Sequence, residues 1–509
     1  MGLFFTLLYL FSAYIGPPIL FGDLAQYHIE LVLAVLALIF SLPLLQDSEI
    51  LSLPQTYGII GLSVSVVLSI ALNGWLGGAP TAFFDFLPSA IVFFFIVLNC
   101  RKKGHLQLLI AILVLAACYT ICRGYLAERA GADGSFYLIT MKNNAGENFF
   151  RIRGVTFLND PNDFAQFLVA LIPCIFFFWK KGNRGRNLFL VYLPVSILLF
   201  GMFLTHSRGG MIALMAAAVI AGRRKFGVMR SVVVGLILFI GLSVSGFSGG
   251  RDVSADAGED RMDAWAAGLG MIRAHPFKGV GYGRFTDFHE ITAHNSVILC
   301  AAELGMPGFF FWVLFTLPNV RETYAGSEGG RPKKPKADKA DNWLSHRIPK
   351  SNSVAEPLSS LAFPRVALAA TGGERSPLER AALRGVHRVH GADRQVVQPR
   401  VATGPYNGVF DSESDENQPT DDEIRRICSV MMVSFAGFLT ASWFLARSYT
   451  MTLFLVAGMA HVAYRLASER KIALPSLPFG RVAKLSASTC VGLILLVWIV
   501  LRVDHLRGH

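Results

Sequence analysis

The amino-acid sequence predicts an all-α, polytopic membrane protein of about 12 to 13 transmembrane helices. Of its 509 residues, 53% are hydrophobic and 16% are charged, whereas roughly a quarter of the residues in soluble domains are charged. Apolar runs of about 20 residues, the length that crosses a bilayer core, recur along the chain. These runs do not alternate with polar residues, which favours helices over a β-barrel.

The predicted transmembrane segments form two groups separated by a polar stretch. Residues 1–317 form the transmembrane domain, 318–427 a polar insertion, and 428–509 the C-terminal transmembrane helices. The individual segments lie near residues 3–21, 29–45, 57–74, 84–100, 105–122, 163–179, 187–205, 209–222, 228–246, 295–317, 428–446, 449–466 and 485–501.

Short basic loops indicate how these helices are oriented. With a cytoplasmic N-terminus, all of these loops lie inside, as the excess of Lys and Arg in cytoplasmic loops requires. They are found at 101–103, 180–186, 223–230 and 465–471. The same count assigns 123–162, 205–209 and the large loop 247–294 to the periplasmic side.

The insertion 318–427 is rich in Lys, Arg, Pro, Ser, Gly, Asp and Glu and has no sustained apolar periodicity. Such a composition predicts a disordered segment, which the orientation of the helices assigns to the cytoplasm. Two roles are compatible with it: a regulatory or partner-binding segment, and a solvated linker.

The formal net charge of +12 is explained by the basic cytoplasmic loops. No basic soluble domain with interleaved aromatic residues is present, so we expect no binding of nucleic acid. The seven cysteines lie in or beside apolar segments and form no CxxC pair. They are therefore predicted to be small core residues and not a disulfide framework or a zinc site.

Arginines on the predicted outer side need a separate explanation. Each of them alone is compatible with a side chain that reaches lipid headgroups. Together they suit an anionic ligand at the membrane surface, because a guanidinium binds phosphate oxygens bidentately. These residues are Arg151, Arg153, Arg208, Arg261, Arg273 and Arg284.

His294 ends the large loop and stands directly before Asn295 and an apolar segment, which predicts a position at the membrane surface. A histidine pKa of about 6.5 suits a general base that removes a proton from a sugar hydroxyl. The position is also compatible with an interfacial histidine that has no chemical role. A metal site of His275, His289 and His294 is disfavoured, because their spacing does not bring them onto one helix face.

Two further motifs have structural explanations. In NDPNDFAQ, Asn159, Asp160 and Asn162 are helix-capping residue types, although Asn162 could also face a site. The glycines of GVGYGRF predict a tight turn and not a nucleotide-binding loop, since no strand precedes them.

Four motifs in order resemble the O-antigen ligase and O-antigen polymerase family, which includes exopolysaccharide polymerases and O-linked protein oligosaccharyltransferases. The resemblance is strongest over roughly 150–317. The motifs are RGVTFLNDPNDFA, THSRGGMIAL, RMDAWAAGLGMIRAHPFKGVGYGRF and AHNSVILCAAELGMPGFFFW.

The resemblance implies a GT-C-like glycosyltransferase of the bacterial inner membrane that works without a metal or cofactor. It would move a glycan from an undecaprenyl pyrophosphate carrier to a hydroxyl of a glycan or lipid A core acceptor, on the periplasmic side. Arg208 and Arg261 would hold the pyrophosphate, and His294 would activate the acceptor. The expected substrate-binding residues are Arg153, Asn159, Asn162, Arg284 and Asn295.

Other functions remain open at this stage. A transporter of polysaccharides or lipid-linked sugars would carry ionisable residues near the membrane midplane, whereas those singled out above lie in loops and at helix ends. A structural membrane scaffold would need none of them. Within the family, the motifs do not separate ligase, polymerase and protein oligosaccharyltransferase.

Overall fold

The computed structural model describes residues 1–46, 49–132, 134–142, 146, 148–244, 256–328 and 419–506, and this part of the chain is mainly helical. Ten of its helical segments are long and apolar enough to cross a membrane, and two shorter apolar helices accompany them. Each of the thirteen predicted segments overlaps a helix. The ten long segments are fewer than the 12 to 13 predicted, and the helix Arg208–Phe226, predicted as a span at 209–222, belongs neither to them nor to the two shorter ones. The all-α, polytopic fold class is therefore confirmed.

The first half of the bundle extends from residue 2 to residue 244. Its helices are α1 Gly2–Ile15, α2 Ile29–Leu45, α3 Pro54–Ala71, α4 Ala79–Asn99, α5 Lys103–Arg129, α6 Pro161–Cys174, α7 Leu193–Leu204, α8 Arg208–Phe226 and α9 Val228–Val244. Between α5 and α6, strands β1 (Leu138–Lys142) and β2 (Asn148–Ile152) form an antiparallel hairpin in which Ile139 pairs with Arg151.

The second half begins inside the large loop. Its helices are α10 Asp256–Ala274, α11 Ser296–Glu328, α12 Asp421–Phe444, α13 Met451–Glu469 and α14 Phe479–Leu506. The helix α10 was not anticipated, and it packs an apolar face that includes Trp265, Met271 and Ile272. Its hydrophobic positions recur three, four and seven residues apart, which is the period of an amphipathic helix.

The central element is α11, which contacts α3, α10, α12, α13 and α14. Gly305 interrupts it with a φ of 68°. The preceding loop fills the break, because Met306 N donates to Pro276 O at 2.7 Å and Val280 N donates to Ala302 O at 2.9 Å. Gly279 also has a positive φ, of 63°, and has no room for a Cβ beside the Glu303 carbonyl. The tight turn predicted for GVGYGRF is confirmed.

The helices flanking the insertion extend further than predicted. The end of α11 reaches Glu328 and α12 begins at Asp421, so 318–328 and 421–427 are helical. The polar insertion is therefore shorter than its predicted boundaries, 318 and 427. Charged residues end the apolar pattern there, but they lie on the ends of the two helices. The predicted disorder of 329–418 lies outside the described residues.

Candidate functional site

Several helix termini meet at one end of the bundle, and they carry most of the polar residues discussed below. The starts of α6, α8 and α11 lie there, together with the connection 445–450 between α12 and α13. Asp160, Ser207 and Asn295 cap the three helices, each accepting backbone N–H groups of the first turn. The caps fix the residues next to them, among which are Arg208 and His294.

A hydrogen-bonded network joins the hairpin to these helix starts. Arg151, only 6% exposed, donates through Nη2 to Asn162 Oδ1 at 3.1 Å and through Nε to Thr205 O at 2.8 Å. Ser207 Oγ donates to the same Asn162 oxygen at 2.8 Å. Asn162 therefore holds β2 and the start of α8 together, and the orientation of the turn before Arg208 depends on this network.

Arg208 and Arg261 come from distant parts of the chain and approach each other at this end of the bundle. Burial lowers the pKa of the Arg261 guanidinium, and the nearby charge of Arg208 lowers it further. Arg261 is only partly exposed, and among the described residues it has no ion-pair partner. Two guanidinium groups held close together repel each other, and an anion bound between them would relieve this repulsion.

His294 lies in the same electrostatic environment. Burial lowers its pKa, Arg261 and Arg447 lower it further, and Asp160 acts in the opposite direction. The imidazole is therefore neutral at physiological pH and has a nitrogen able to accept a proton. Its backbone has a φ of 46°, in the left-handed region, directly before the Asn295 cap.

Arg447 and Asp163 were missed by the sequence analysis. Arg447 Nε lies 2.5 Å from Asp163 Oδ1, and the carboxylate is only 3% exposed. Asp163 follows the capping residue types Asn159, Asp160 and Asn162 in NDPNDFAQ, and Arg447 stands in a short connection without a motif. Only the tertiary structure shows that this carboxylate is buried and lies against a cation.

The predicted site residues divide into two groups. Arg208, Arg261 and His294 lie together, and Asn162 supports them from behind. The guanidinium of Arg153 donates to the carbonyls of Phe136 at 3.0 Å and Asn159 at 3.1 Å. These bonds hold the Arg153 guanidinium at the base of the hairpin. The Asn159 side chain next to it is exposed.

Arg284 and Asn295 also have structural partners. Arg284 forms an exposed ion pair with Asp287 at 2.7 Å. Asn295 is fully buried, and its Oδ1 accepts the backbone N–H groups of Val297 and Ile298. The cap accounts for the side-chain oxygen, whereas the buried Nδ2 has no hydrogen-bond partner among the described residues.

The three histidines considered for a metal site do not form one. Within the described residues, no three His, Cys, Asp or Glu side chains are arranged to hold a metal ion. His289 Nδ1 is instead 3.0 Å from its neighbour Ile291 O.

An apolar groove of about 220 Å³ lies between α11, α12 and α14. Its lining residues on α11 include Ser296, two residues after His294, and Val320. The hydroxyl of Thr316 on its wall donates to its own helix, at Trp312 O and 2.7 Å. Thr489 does the same at Leu485 O and 2.8 Å. The groove therefore presents hydrocarbon, and it is smaller than the roughly 300–1,000 Å³ of drug-sized ligand sites.

The fold and the cluster of Arg208, Arg261 and His294 define a multi-pass helical membrane protein. It has a cationic site at the helix ends and an apolar groove beside it. Residues 193–313 match the profile of the family described as O-antigen ligase. The match confirms the resemblance that the motifs indicated, and it includes Arg208, Arg261 and His294. An O-antigen ligase or polymerase type of activity is thereby supported. No curated protein matches the chain significantly.

Proposed function

We propose that this protein is an inner-membrane glycosyltransferase of the O-antigen ligase or polysaccharide polymerase type. It moves a glycan from undecaprenyl pyrophosphate to a hydroxyl of a glycan or lipid A core acceptor on the periplasmic side. The observation that carries this proposal is the approach of Arg208 and Arg261 to each other beside a partly buried, neutral His294.

The reaction assigns one step to each group. The acceptor hydroxyl oxygen attacks the anomeric carbon of the first donor sugar, and its proton passes to His294. The bond between that carbon and the pyrophosphate oxygen breaks, and the electron pair leaves with the pyrophosphate. Arg208 and Arg261 stabilise the charge that develops on this leaving group.

The surroundings of the cluster fit a donor of this chemistry. A pyrophosphate suits the guanidinium groups, and the hydrocarbon groove lined in part by Ser296 suits part of a polyprenyl chain. Guanidinium charges supply the stabilisation that a divalent metal gives in other phosphate-transferring sites, so the proposed reaction needs no metal. A transporter would instead bind its cargo near the midplane.

Reconstitution tests the proposal. We expect purified protein in nanodiscs to transfer a glycan from a polyprenyl pyrophosphate carrier to an acceptor glycan, with no effect of a chelator. Replacing Arg208 or Arg261 with alanine should reduce the rate by roughly 100- to 1,000-fold, the effect of losing one electrostatic transition-state contact. Lysine should restore only part of the rate, since a point charge does not reproduce the bidentate fork.

His294→Ala separates chemistry from binding. We expect most transfer to be lost while the donor still binds, because the proposed task of His294 is proton removal from the acceptor. Full transfer by His294→Ala at normal protein levels would exclude the general-base role. Loss of wild-type activity on chelation would indicate a metal, and movement of the intact donor without transfer would indicate a transporter.

A further inference from the structure

Arg447 is fixed beside His294 by the start of α11. Ser296 Oγ donates to Leu445 O at 2.7 Å, and Arg447 N donates to Ser296 Oγ at 3.0 Å. Ser448 Oγ donates to the Ser296 carbonyl at 2.7 Å. Trp312 Nε1 also donates to the Ser448 carbonyl at 2.8 Å. Ser296 and Trp312 thus hold the connection 445–450 on the helix that begins directly after His294.

The side chain of Arg447 is fixed from the other direction. Its Nε meets the Asp163 carboxylate at 2.5 Å, while 40% of the Arg447 side chain remains exposed. A guanidinium has five N–H donors, and this ion pair is formed at Nε. Within the described part of the chain, the terminal nitrogens of Arg447 have no other hydrogen-bond partner. The remaining N–H groups are available to an acceptor from outside the chain.

Positive charge is concentrated beside His294. The guanidinium groups of Arg261 and Arg447 both lower the pKa of this histidine, and an anion bound there would be stabilised by them. Asp163 also holds Arg447 in one orientation, which reduces the entropy lost when an anion binds.

We propose that Arg447 binds a phosphate group of the donor as a third arginine of the site, and that Asp163 is the residue that positions it. This inference rests on the proposed function, since it assigns Arg447 to the same lipid-linked pyrophosphate. A pyrophosphate has two phosphoryl groups, so arginines of two distant elements bind it together. The connection between α12 and α13 thereby becomes part of the donor site.

The competing explanation is that Arg447 only neutralises a buried carboxylate. Arg447→Gln alone does not distinguish the two, because it leaves the Asp163 charge buried without a partner and destabilises the fold. The Asp163→Asn, Arg447→Gln double variant removes both charges and restores the balance. If Arg447 is only a counter-ion, this double variant should bind and transfer like the wild type.

For a phosphate-binding Arg447, we expect the double variant to keep the wild-type melting temperature and to raise KM for the donor roughly 10- to 100-fold, as for loss of a hydrogen bond to a charged group. The change in kcat should be smaller. Arg447→Lys should lie between the wild type and the double variant. Arg129→Gln, at an exposed end of α5, is the matched control and should change neither constant.

A binding assay with a polyprenyl pyrophosphate that carries no glycan separates this inference from the proposed function. Wild-type binding that is lost in the double variant supports the inference even if no glycan transfer is detected. Unchanged binding and KM in a folded double variant would overturn it and leave the proposed function intact. A wild-type protein that does not bind the carrier would overturn both.

Discussion

At the scale of single residues, the proposed reaction depends on the charge of His294. Its imidazole accepts a proton only when it is neutral, so transfer should decline as the pH falls through its lowered pKa. Arg261 and Arg447 extend the active range to lower pH, and Asp160 restricts it. The pH at which the rate falls on the acid side of the pH–rate profile therefore depends on the charges of these three neighbours.

Asp160→Asn tests this dependence. Asparagine keeps an oxygen that can cap α6 through Asn162 N, now 2.7 Å from Asp160 Oδ1. Removing the negative charge lowers the pKa of His294 further, so the acid limb of kcat/KM should move to lower pH. The rate at neutral pH should change little. A limb that moves to higher pH, or does not move, would contradict the assignment of His294 as the titrating base.

Residues that stand in sequence motifs were predictable, whereas residues that only tertiary packing brings to the site were not. Arg208, Arg261 and His294 stood in three motifs, and the structure brings them together. Arg447 became visible only when the connection 445–450 was found bonded to Ser296. Arg153 and Arg284 were predicted as site residues from their charge in the same way. In the structure, Arg153 donates to two backbone carbonyls and Arg284 forms an ion pair with Asp287.

At the scale of elements, helices were predictable and their irregularities were not. Hydropathy located thirteen helices, since a bilayer demands long apolar runs. Hydropathy gave no indication of the break at Gly305. There, backbone groups of the loop 276–281 form hydrogen bonds with the backbone of α11 in place of its own helical hydrogen bonds. The helix α10 was also missed, because its apolar face is diluted by charged residues on the other side.

The break in α11 yields a stability prediction. Gly305 has a φ of 68°, and a Cβ there would lie 2.7 Å from the Phe277 carbonyl carbon. We expect Gly305→Ala to destabilise the protein by at least about 1 kcal/mol, because neither the φ nor the space suits alanine. Thermal unfolding in detergent measures this change.

Gly270→Ala is the control for this substitution. Gly270 lies within α10, and a Cβ there would have no atom within 4 Å. Alanine should stabilise that helix by roughly 0.5–1 kcal/mol through backbone entropy. Equal melting temperatures for Gly305→Ala and the wild type would mean that the loop 276–281 does not fix the break.

At the scale of the whole molecule, the orientation in the membrane follows from the basic loops. We predict that the loop 247–294 faces the periplasm and the insertion the cytoplasm. Single cysteines replacing Ser254 and Ser351, in a background without the seven native cysteines, report the side by labelling with a membrane-impermeant reagent in intact spheroplasts. Ser254 should be labelled there, and Ser351 only after the inner membrane is opened. The reverse pattern would invert the topology.

The insertion itself should be dispensable for the fold. Other contacts position the start of α12: Glu423 pairs with Lys103 at 2.6 Å, and Asp421 pairs with Arg470 at 3.5 Å. The end of α11 lies against α12, since a Cβ at Gly326 would meet Cys428 Sγ. These interactions persist without 330–418, and Thr420 still caps α12.

Replacing residues 330–418 with a short Gly/Ser linker should therefore leave folding and much of the activity in place. Such a linker behaves as a flexible coil, and its length has a small entropic effect on the joined helices. Size-exclusion profile, melting temperature and transfer rate are the measurements. A linker joined at 312 and 430 is the control: it removes the ends of α11 and α12 with Glu423, and it should abolish folding. If the 330–418 replacement also fails to fold at every linker length, the insertion packs against the bundle and contributes to its stability.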